Sequence, residues 1–322
     1  MDEQIPGIHH ITAIASDPQQ NVDFYTRILG LRLVKLTVNF DDPGTYHLYY
    51  GDERGQPGTI LTFFPWPGAR RGRRGTGQVA TTSFSVPEGS LDYWEGRLKR
   101  YDITTGQRQR RFEEEALTFL DPDWMHLELV ANPAADESSP WKDGPIPTDY
   151  AIRGFHSVTL WENNPEPTAA LLRDTLGFSA AAENGPRSRF QGSAQSPGAV
   201  VDLLHLPDGE RGWGGAGTVH HVAWRTPGDA EQLAWRQTLA DQGLHVTPVM
   251  DRQYFHSIYF REPGGVLFEI ATDPPGFTRD ESLAKLGTRL RLPAWLETRR
   301  ADVEAALPEL SLPGNGSHGR AA

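Results

Sequence analysis

The chain has 322 residues, of which 38% are hydrophobic and 10% aromatic, a composition that predicts a packed core rather than general disorder. Its 31 Lys and Arg residues against 42 Asp and Glu give a net charge of −11, which argues against nucleic acid or an anionic membrane surface as the main partner. Cysteine is absent, so disulfides, thiolate ligands and thiol nucleophiles are excluded.

The first residues, MDEQIPGIHH, are acidic and contain no apolar stretch typical of a signal peptide. No run approaches the roughly 18 apolar residues of a membrane span. We therefore expect a soluble cytoplasmic protein.

The N-terminal segment has the pattern of a βαβββ unit. Residues 8–14 (IHHITAI) predict a first strand. Asp17 and Pro18 then provide an N-cap and a proline at the first helical position, and Gly30 stands where a helix-terminating glycine belongs. Three further strands are predicted at 31–36, 45–50 and 58–64.

The same order of elements recurs three times, which indicates internal repetition. In each copy an apolar strand leads to a helix and the unit closes with another apolar strand. The first strands are predicted at 79–86, 154–160 and 219–225, the helices after Ser90, Pro165 and Asp229, and the last strands at 125–130, 200–204 and 266–270. The pattern predicts an α+β protein of four βαβββ modules.

The modules group into a predicted domain organisation. Residues 1–140 hold the first pair of modules and 141–277 the second pair, with a proline-rich, acidic linker at 132–153. Residues 278–322 are predicted to form a C-terminal segment with a helix at 293–307 and a frayed tail.

Four arginines cluster in the loop at 65–78, namely Arg70, Arg71, Arg73 and Arg74. Such a run can bind an anion, but it is more often a solvated loop, and we favour that interpretation.

Comparing equivalent positions in the four modules identifies candidate metal ligands. The second histidine of each His-His pair, His10 and His221, aligns with Thr81 and Ser157. Last-strand Glu269 aligns with Thr62, Glu128 and Asp202. Only the first and fourth modules thus combine two imidazoles with a carboxylate, a set that suits a divalent transition metal with open positions. We expect the other set to be vestigial.

Strand alternation places the two histidines of a pair on opposite faces. Module three keeps the first histidine as His156 although it has no site, so the first of each pair, His9 or His220, fits a supporting role. For the isolated histidines we keep a structural interpretation; these are His47, His126, His205 and His245.

The chain resembles the vicinal oxygen chelate superfamily, and within it the hydroquinone-type ring-cleaving dioxygenases. The matching stretches are IHHIT, TYHLYYGDERGQPGTILTFFP, RGFHS, VVDLLHLPD, VHHVAW and DRQYFHSIYFREPGGVLFE. The resemblance implies two glyoxalase-type domains in which the first and last modules form the metal cup. Residues 37–44 (TVNFDDPG) depart from the hydroquinone-cleaving members and leave the ring substrate open.

By this resemblance His10, His221 and Glu269 would hold Fe(II), with Zn, Mn or Ni as other metals that such ligands accept. The substrates would be a small hydroquinone-like or catechol-like aromatic and dioxygen, both atoms of which are inserted. The catalytic and supporting residues implied are His9, Thr12, His220, Arg252 and Tyr259. The sequence is also compatible with a homo-oligomer.

Two other functions remain open from sequence. A glyoxalase-like isomerase or hydrolase typically uses four protein ligands, and Thr62 supplies no fourth. A non-catalytic aromatic- or quinone-binding resistance protein often lacks the triad, which this chain retains.

Overall fold

The computed structural model describes residues 4–137, 140–194 and 198–312, and in it two curled eight-stranded sheets form the body of the protein. The predicted α+β architecture of four βαβββ modules in two glyoxalase-type domains is confirmed. The predicted fraying beyond residue 312 lies outside the described residues.

The first sheet joins the first and fourth modules, as the resemblance implied. The first module supplies β1 (Ile8–Ala15), β2 (Arg32–Asn39), β3 (Asp42–Gly51) and β4 (Ile60–Pro65). The fourth supplies β13 (Thr218–Thr226), β14 (Met250–Asp251), β15 (His256–Arg261) and β16 (Leu267–Thr272). The strand order is β14-β15-β16-β13-β1-β4-β3-β2. The first and fourth modules therefore meet at the antiparallel pair of β1 and β13.

The second sheet joins the second and third modules by the same rule. The second module supplies β5 (Gln78–Val86), β6 (Gln109–Arg111), β7 (Glu114–Leu120) and β8 (His126–Ala131). The third supplies β9 (Phe155–Glu162), β10 (Ser179–Asn184), β11 (Arg187–Gln191) and β12 (Val200–His205). The order β10-β11-β12-β9-β5-β8-β7-β6 mirrors that of the first sheet.

Each module contributes one helix between its first and second strands. These are α1 (Pro18–Asp23), α2 (Leu91–Arg100), α3 (Glu166–Ala170) and α4 (Asp229–Asp241). The N-cap predicted for α1 is present, because the side chain of Asp17 accepts a hydrogen bond from the backbone N–H of Gln20 at 2.9 Å. No described helix is long and apolar enough to cross a membrane.

Three helical details differ from the sequence prediction. The helices of the first and third modules continue as π-helical segments at Phe24–Ile28 and Leu171–Thr175. The single C-terminal helix predicted at 293–307 is two short helices, α5 (Ala294–Glu297) and α6 (Arg300–Ala306), because the chain leaves helical geometry at Arg299. Short 3-10 segments also occur at Pro133–Glu137, Phe277–Arg279 and Leu283–Lys285.

The C-terminal segment is anchored on the first module by a buried lysine. The Lys35 side chain is fully buried and its ammonium pairs with Asp280, at 2.6 Å, and with Glu281. Tyr46 adds a hydrogen bond from its hydroxyl to the carbonyl of Pro308. A buried ammonium is stable only when it is paired and hydrogen-bonded, so these acids fix the segment in place.

The arginine-rich loop is largely exposed, as predicted, and it also lies at the junction between the two halves. Residues around Arg71 and Arg73 form backbone bridges with Ala216 and Trp213. Three of the arginines lie over tryptophan rings, with guanidinium–centroid distances of 3.8 Å for Arg71 on Trp124, 4.0 Å for Arg73 on Trp213 and 4.2 Å for Arg74 on Trp161. Cation–π stacking gives these side chains a structural role.

Candidate metal centre

The three candidate ligands come together at the centre of the first sheet although 211 residues separate the two histidines. His10 Nε2 lies 3.2 Å from His221 Nε2. Oε2 of Glu269 lies 3.4 Å from the first nitrogen and 3.0 Å from the second. One donor atom from each residue therefore falls within 4.8 Å of the others, in a fully buried cluster.

Strand register explains why the side chains converge. Thr12 of β1 is paired with Thr62 of β4, and Ala223 of β13 is paired in the same parallel sense with Glu269 of β16. In both modules the histidine precedes the paired first-strand residue by two positions and so shares its face of the sheet. The module alignment made from sequence is thus reproduced by the strand pairing.

The donor set fits a divalent cation. Oε1 of Glu269 accepts a hydrogen bond from Ser257, whereas Oε2, aimed at the two imidazoles, makes no hydrogen bond of normal geometry among the described residues. Burial opposes the charge on Glu269, but His10 and His221 outweigh it and hold the pKa of Glu269 well below its usual value. An ionised, buried carboxylate oxygen facing two imidazole nitrogens needs a positive charge between them.

The first histidine of each pair supports the second. His9 Nδ1 lies 2.9 Å from His10 Nδ1, and His220 Nδ1 lies 2.8 Å from His221 Nδ1, so the two pairs have the same geometry. If the ligand histidine donates its Nδ1–H, its Nε2 lone pair is left for a cation. Burial and the adjacent His10 lower the pKa of His9 well below its usual value, which keeps His9 neutral and able to accept that hydrogen bond.

An aromatic pocket of about 330 Å³ opens above the cluster. Four of the predicted site residues line it with two of the ligands, namely Thr12, His220, Arg252 and Tyr259. His9 does not line the pocket and packs behind it, against Phe255. Phe40, Phe64 and Trp66 supply apolar walls, so the pocket suits a flat ring.

His47 is a pocket residue that sequence reasoning missed. Its Nε2 is 2.9 Å from Thr62 Oγ1, which in turn is 2.9 Å from Thr12 Oγ1, and its Nδ1 is 2.9 Å from the Tyr49 hydroxyl. Thr62 occupies the position equivalent to Glu269, and this chain of hydrogen bonds fills the place of a fourth ligand. The only sequence signal was that His47 lies one strand from Thr62.

The protonation states around the pocket follow from its surroundings. Burial and the charge of Glu269 raise the pKa of Tyr259, so its phenol stays protonated. Desolvation by the surrounding protein lowers the pKa of His220, and the neighbouring His221 lowers it further. Part of the His220 ring remains exposed. Arg252 donates from Nε to the Tyr259 hydroxyl at 3.2 Å.

The equivalent positions of the second sheet hold ion pairs instead of a metal cluster. Glu128 accepts from Ser83 at 2.8 Å and from Arg111 at 2.5 Å. Asp202 pairs with Arg187 at 2.9 Å and with Arg189 at 2.8 Å. Guanidinium groups therefore neutralise both carboxylates in this half.

Comparison with known proteins agrees with this architecture. The family model described as "Glyoxalase/Bleomycin resistance protein/Dioxygenase superfamily" matches residues 7–140 and 154–270. The chain is 50% identical to the Bacillus subtilis protein named "putative ring-cleaving dioxygenase MhqO", over 95% of this chain and 97% of that protein. It is 35% identical to the chlorohydroquinone/hydroquinone 1,2-dioxygenase of Sphingobium indicum, over 92% and 94% of the two chains.

A solved structure has the same fold over nearly the whole length. The crystal structure of a B. subtilis protein described as a "putative dioxygenase" superposes with a TM-score of 0.92 at 48% identity, covering 96% of this chain and 99% of that one. Together with the family match, this similarity confirms the resemblance found in the sequence. The chain belongs to the Glyoxalase/Bleomycin resistance protein/Dioxygenase superfamily.

Proposed function

We propose that the protein is an Fe(II)-dependent ring-cleaving dioxygenase that acts on a hydroquinone-like aromatic. The observation that carries the proposal is the buried set of His10, His221 and Glu269 at the base of an aromatic pocket. Relatives named as ring-cleaving and hydroquinone dioxygenases over most of the chain support it. Zn, Mn or Ni would bind the same donors, so the availability of each metal also influences which one the protein binds.

Bound Fe(II) would supply the redox chemistry through which dioxygen reacts with an aromatic ring. The protein would contribute orientation and exclusion of water, because aromatic walls hold the ring in one plane above the ligands. Thr12, paired with Thr62, offers a hydroxyl at the same edge of the pocket.

Hydrogen bonding to the ring oxygens falls to His220 and Tyr259. Burial lowers the pKa of His220 and leaves its imidazole uncharged at neutral pH, and because its Nδ1 faces His221 Nδ1, its Nε2–H can donate to a ring oxygen. Tyr259 stays protonated and can donate a hydrogen bond to a developing oxyanion. Arg252 orients Tyr259 through the bond from its Nε.

The test is anaerobic reconstitution with Fe(II) followed by oxygen-electrode traces. We expect oxygen uptake with hydroquinone or methylhydroquinone, less with catechol, and none with the methylglyoxal–glutathione hemithioacetal. Glu269→Gln should lower Fe(II) affinity more than about 100-fold, because replacing a ligand costs more than replacing its hydrogen-bond partner. Metal content by mass spectrometry measures this loss separately from turnover.

Two results would contradict the proposal. Isomerisation of the hemithioacetal would favour the glyoxalase-like alternative. Tight binding of a ring without oxygen uptake in the Fe(II) protein would favour a non-catalytic aromatic-binding protein. Glu88→Gln, an exposed substitution of the same kind, is the control and should retain its metal.

A further inference from the structure

An ion pair closes one side of the pocket mouth. Asp41 lies on the turn between β2 and β3, and Arg252 lies between β14 and β15 at the opposite edge of the first sheet. Arg252 Nη1 donates to Asp41 Oδ2 at 3.0 Å, across 211 residues of sequence. The Asp41 side chain is 67% exposed and that of Arg252 only 18%, so the acid reaches in from the rim to a largely buried cation.

The turn that carries Asp41 is held in place on both sides. The backbone N–H of Asp41 donates to Asn39 Oδ1 at 3.0 Å. The next residue, Asp42, accepts from Trp66 Nε1 at 2.8 Å and from Thr45 at 2.8 Å. Because Trp66 is a wall of the pocket, these bonds fix the carboxylate of Asp41 at the rim.

Arg252 is the only lysine or arginine among the described residues that line the pocket. A guanidinium beside an aromatic site ordinarily recognises a carboxylate through its fork of N–H donors. Here one donor is used by Asp41 and another by Tyr259. Apart from the proposed metal, the remaining wall is largely aromatic and its described residues offer an anionic substituent no lysine or arginine.

We propose that Asp41 is a specificity-determining residue that masks Arg252 and thereby excludes aromatic rings bearing a carboxylate. The proposal rests on the proposed function, because it takes a ring as the substrate, and it narrows the substrate class to phenols without an acidic substituent. Asp41 acts in two ways: it competes for the guanidinium, and its own charge repels an incoming anion.

The experiment compares binding of hydroquinone with that of 2,5-dihydroxybenzoate, which is the same ring with one carboxylate added. Calorimetry on the full-length, metal-loaded protein under anaerobic conditions measures both dissociation constants without turnover. For Asp41→Asn we expect affinity for 2,5-dihydroxybenzoate to rise about tenfold and affinity for hydroquinone to stay within about twofold. Asp41→Ala should give the same change, and thermal unfolding verifies that both variants fold.

Two further variants identify the route of the effect. Asp174→Asn removes the same charge from an exposed pair with Arg173 outside the pocket and should change neither constant. The double variant Asp41→Asn/Arg252→Gln should lose most of the gain, since the guanidinium that would pair with the carboxylate is then absent and only the relief of charge repulsion is left.

The proposal is overturned if Asp41→Asn leaves the affinity for 2,5-dihydroxybenzoate unchanged, or if the double variant keeps the whole gain. Both outcomes are separate from the test of the proposed function. Failure of every variant to bind either ring would overturn the role of Asp41 and the proposed function together. Absent oxygen uptake with a normal binding difference would refute the dioxygenase activity and leave the role of Asp41 intact.

Discussion

At the candidate metal site, one side chain decides how many protein ligands a cation would receive. Thr62 stands where the fourth module has Glu269, and its hydroxyl is bonded to Thr12 and His47 instead of facing a cation as a carboxylate. In the proposed site the cup would therefore offer three protein ligands, and the remaining positions would be left for substrates.

Replacing Thr62 by glutamate should create a fourth ligand. We expect Thr62→Glu to bind Zn(II) at least about tenfold more tightly, because another carboxylate faces the cation, and to lose oxygen uptake because an open position is filled. Without metal the variant should be less stable, since Thr62 is fully buried and a carboxylate there would lack a partner. Competition with a chromogenic chelator measures the affinity.

Thr62→Val is the control for this change. It removes the bonds to Thr12 and His47 and adds no ligand, so its metal affinity should equal that of the wild type. A glutamate variant that binds Zn(II) no better than the valine variant would show that Thr62 does not face the cation.

At the scale of strands, the two sheets use one topology for different purposes. In the first sheet β1, β13 and β16 carry His10, His221 and Glu269, whose donor atoms converge. In the second sheet only the last-strand positions hold carboxylates, and these pair with arginines of β6 and β11. The arginines reach these carboxylates because β11 lies next to β12 and β6 joins β8 through β7.

The second cup should therefore contribute to stability and not to metal binding. Arg189 is largely buried and pairs with Asp202 and with Glu114, the second at 2.6 Å. Arg189→Met should lower the free energy of unfolding by about 2 kcal/mol, because Asp202 and Glu114 each lose one of two charge-assisted partners in a largely buried setting. Urea denaturation measures the loss, and the metal content should not change.

Arg173→Met provides the matched comparison. Arg173 pairs with Asp174 on the surface, where both side chains are exposed, and removing such a pair typically costs less than about 1 kcal/mol. Equal losses for the two variants would contradict a buried network in the second cup.

At the scale of the whole molecule, two acids meet where the halves of the protein join. Glu162 ends β9 of the second sheet, and Glu262 begins the turn between β15 and β16 of the first. Gly264 allows this approach, because a Cβ there would lie 2.0 Å from Glu162 Oε2. Glu262 accepts from Thr168 at 2.6 Å and from two backbone N–H groups, whereas Oε1 of Glu162 has no hydrogen-bond partner among the described residues.

This junction should make stability depend on pH. Burial, and then the charge of Glu262, raise the pKa of Glu162 to about 8 from its ordinary 4.5. The folded protein thus holds a proton that the unfolded chain releases, so stability falls as pH rises from 4.5 through about 8. Glu162→Gln removes this titration. The free energy of unfolding of the variant minus that of the wild type should therefore be about 2–3 kcal/mol larger at pH 9 than at pH 5.

Thermal and urea unfolding of Glu162→Gln and wild type at pH 5, 7 and 9 tests this expectation. Glu88→Gln, an exposed substitution of the same charge, should track the wild type at every pH. A constant difference between Glu162→Gln and wild type across the range would mean that Glu162 does not hold a proton in the folded state.

The sequence alone determined the repeat, the fold class and the candidate ligands. Strand alternation and capped helices are local properties, and four copies allowed His10, His221 and Glu269 to be selected by comparing equivalent positions. The family resemblance supplied the pairing of first and last modules, which periodicity within one module cannot reveal.

Only the tertiary structure revealed the other residues that surround that triad. His47 and Asp41 reach the pocket through strand pairing and a turn, and Glu162 meets Glu262 across the join of two sheets. Arginines of the 65–78 loop stack on tryptophans that are distant from them in sequence. These contacts depend on the pairing of β1 with β13, which brings the first and fourth modules together. Long-range packing of this kind produces no periodic pattern in the sequence.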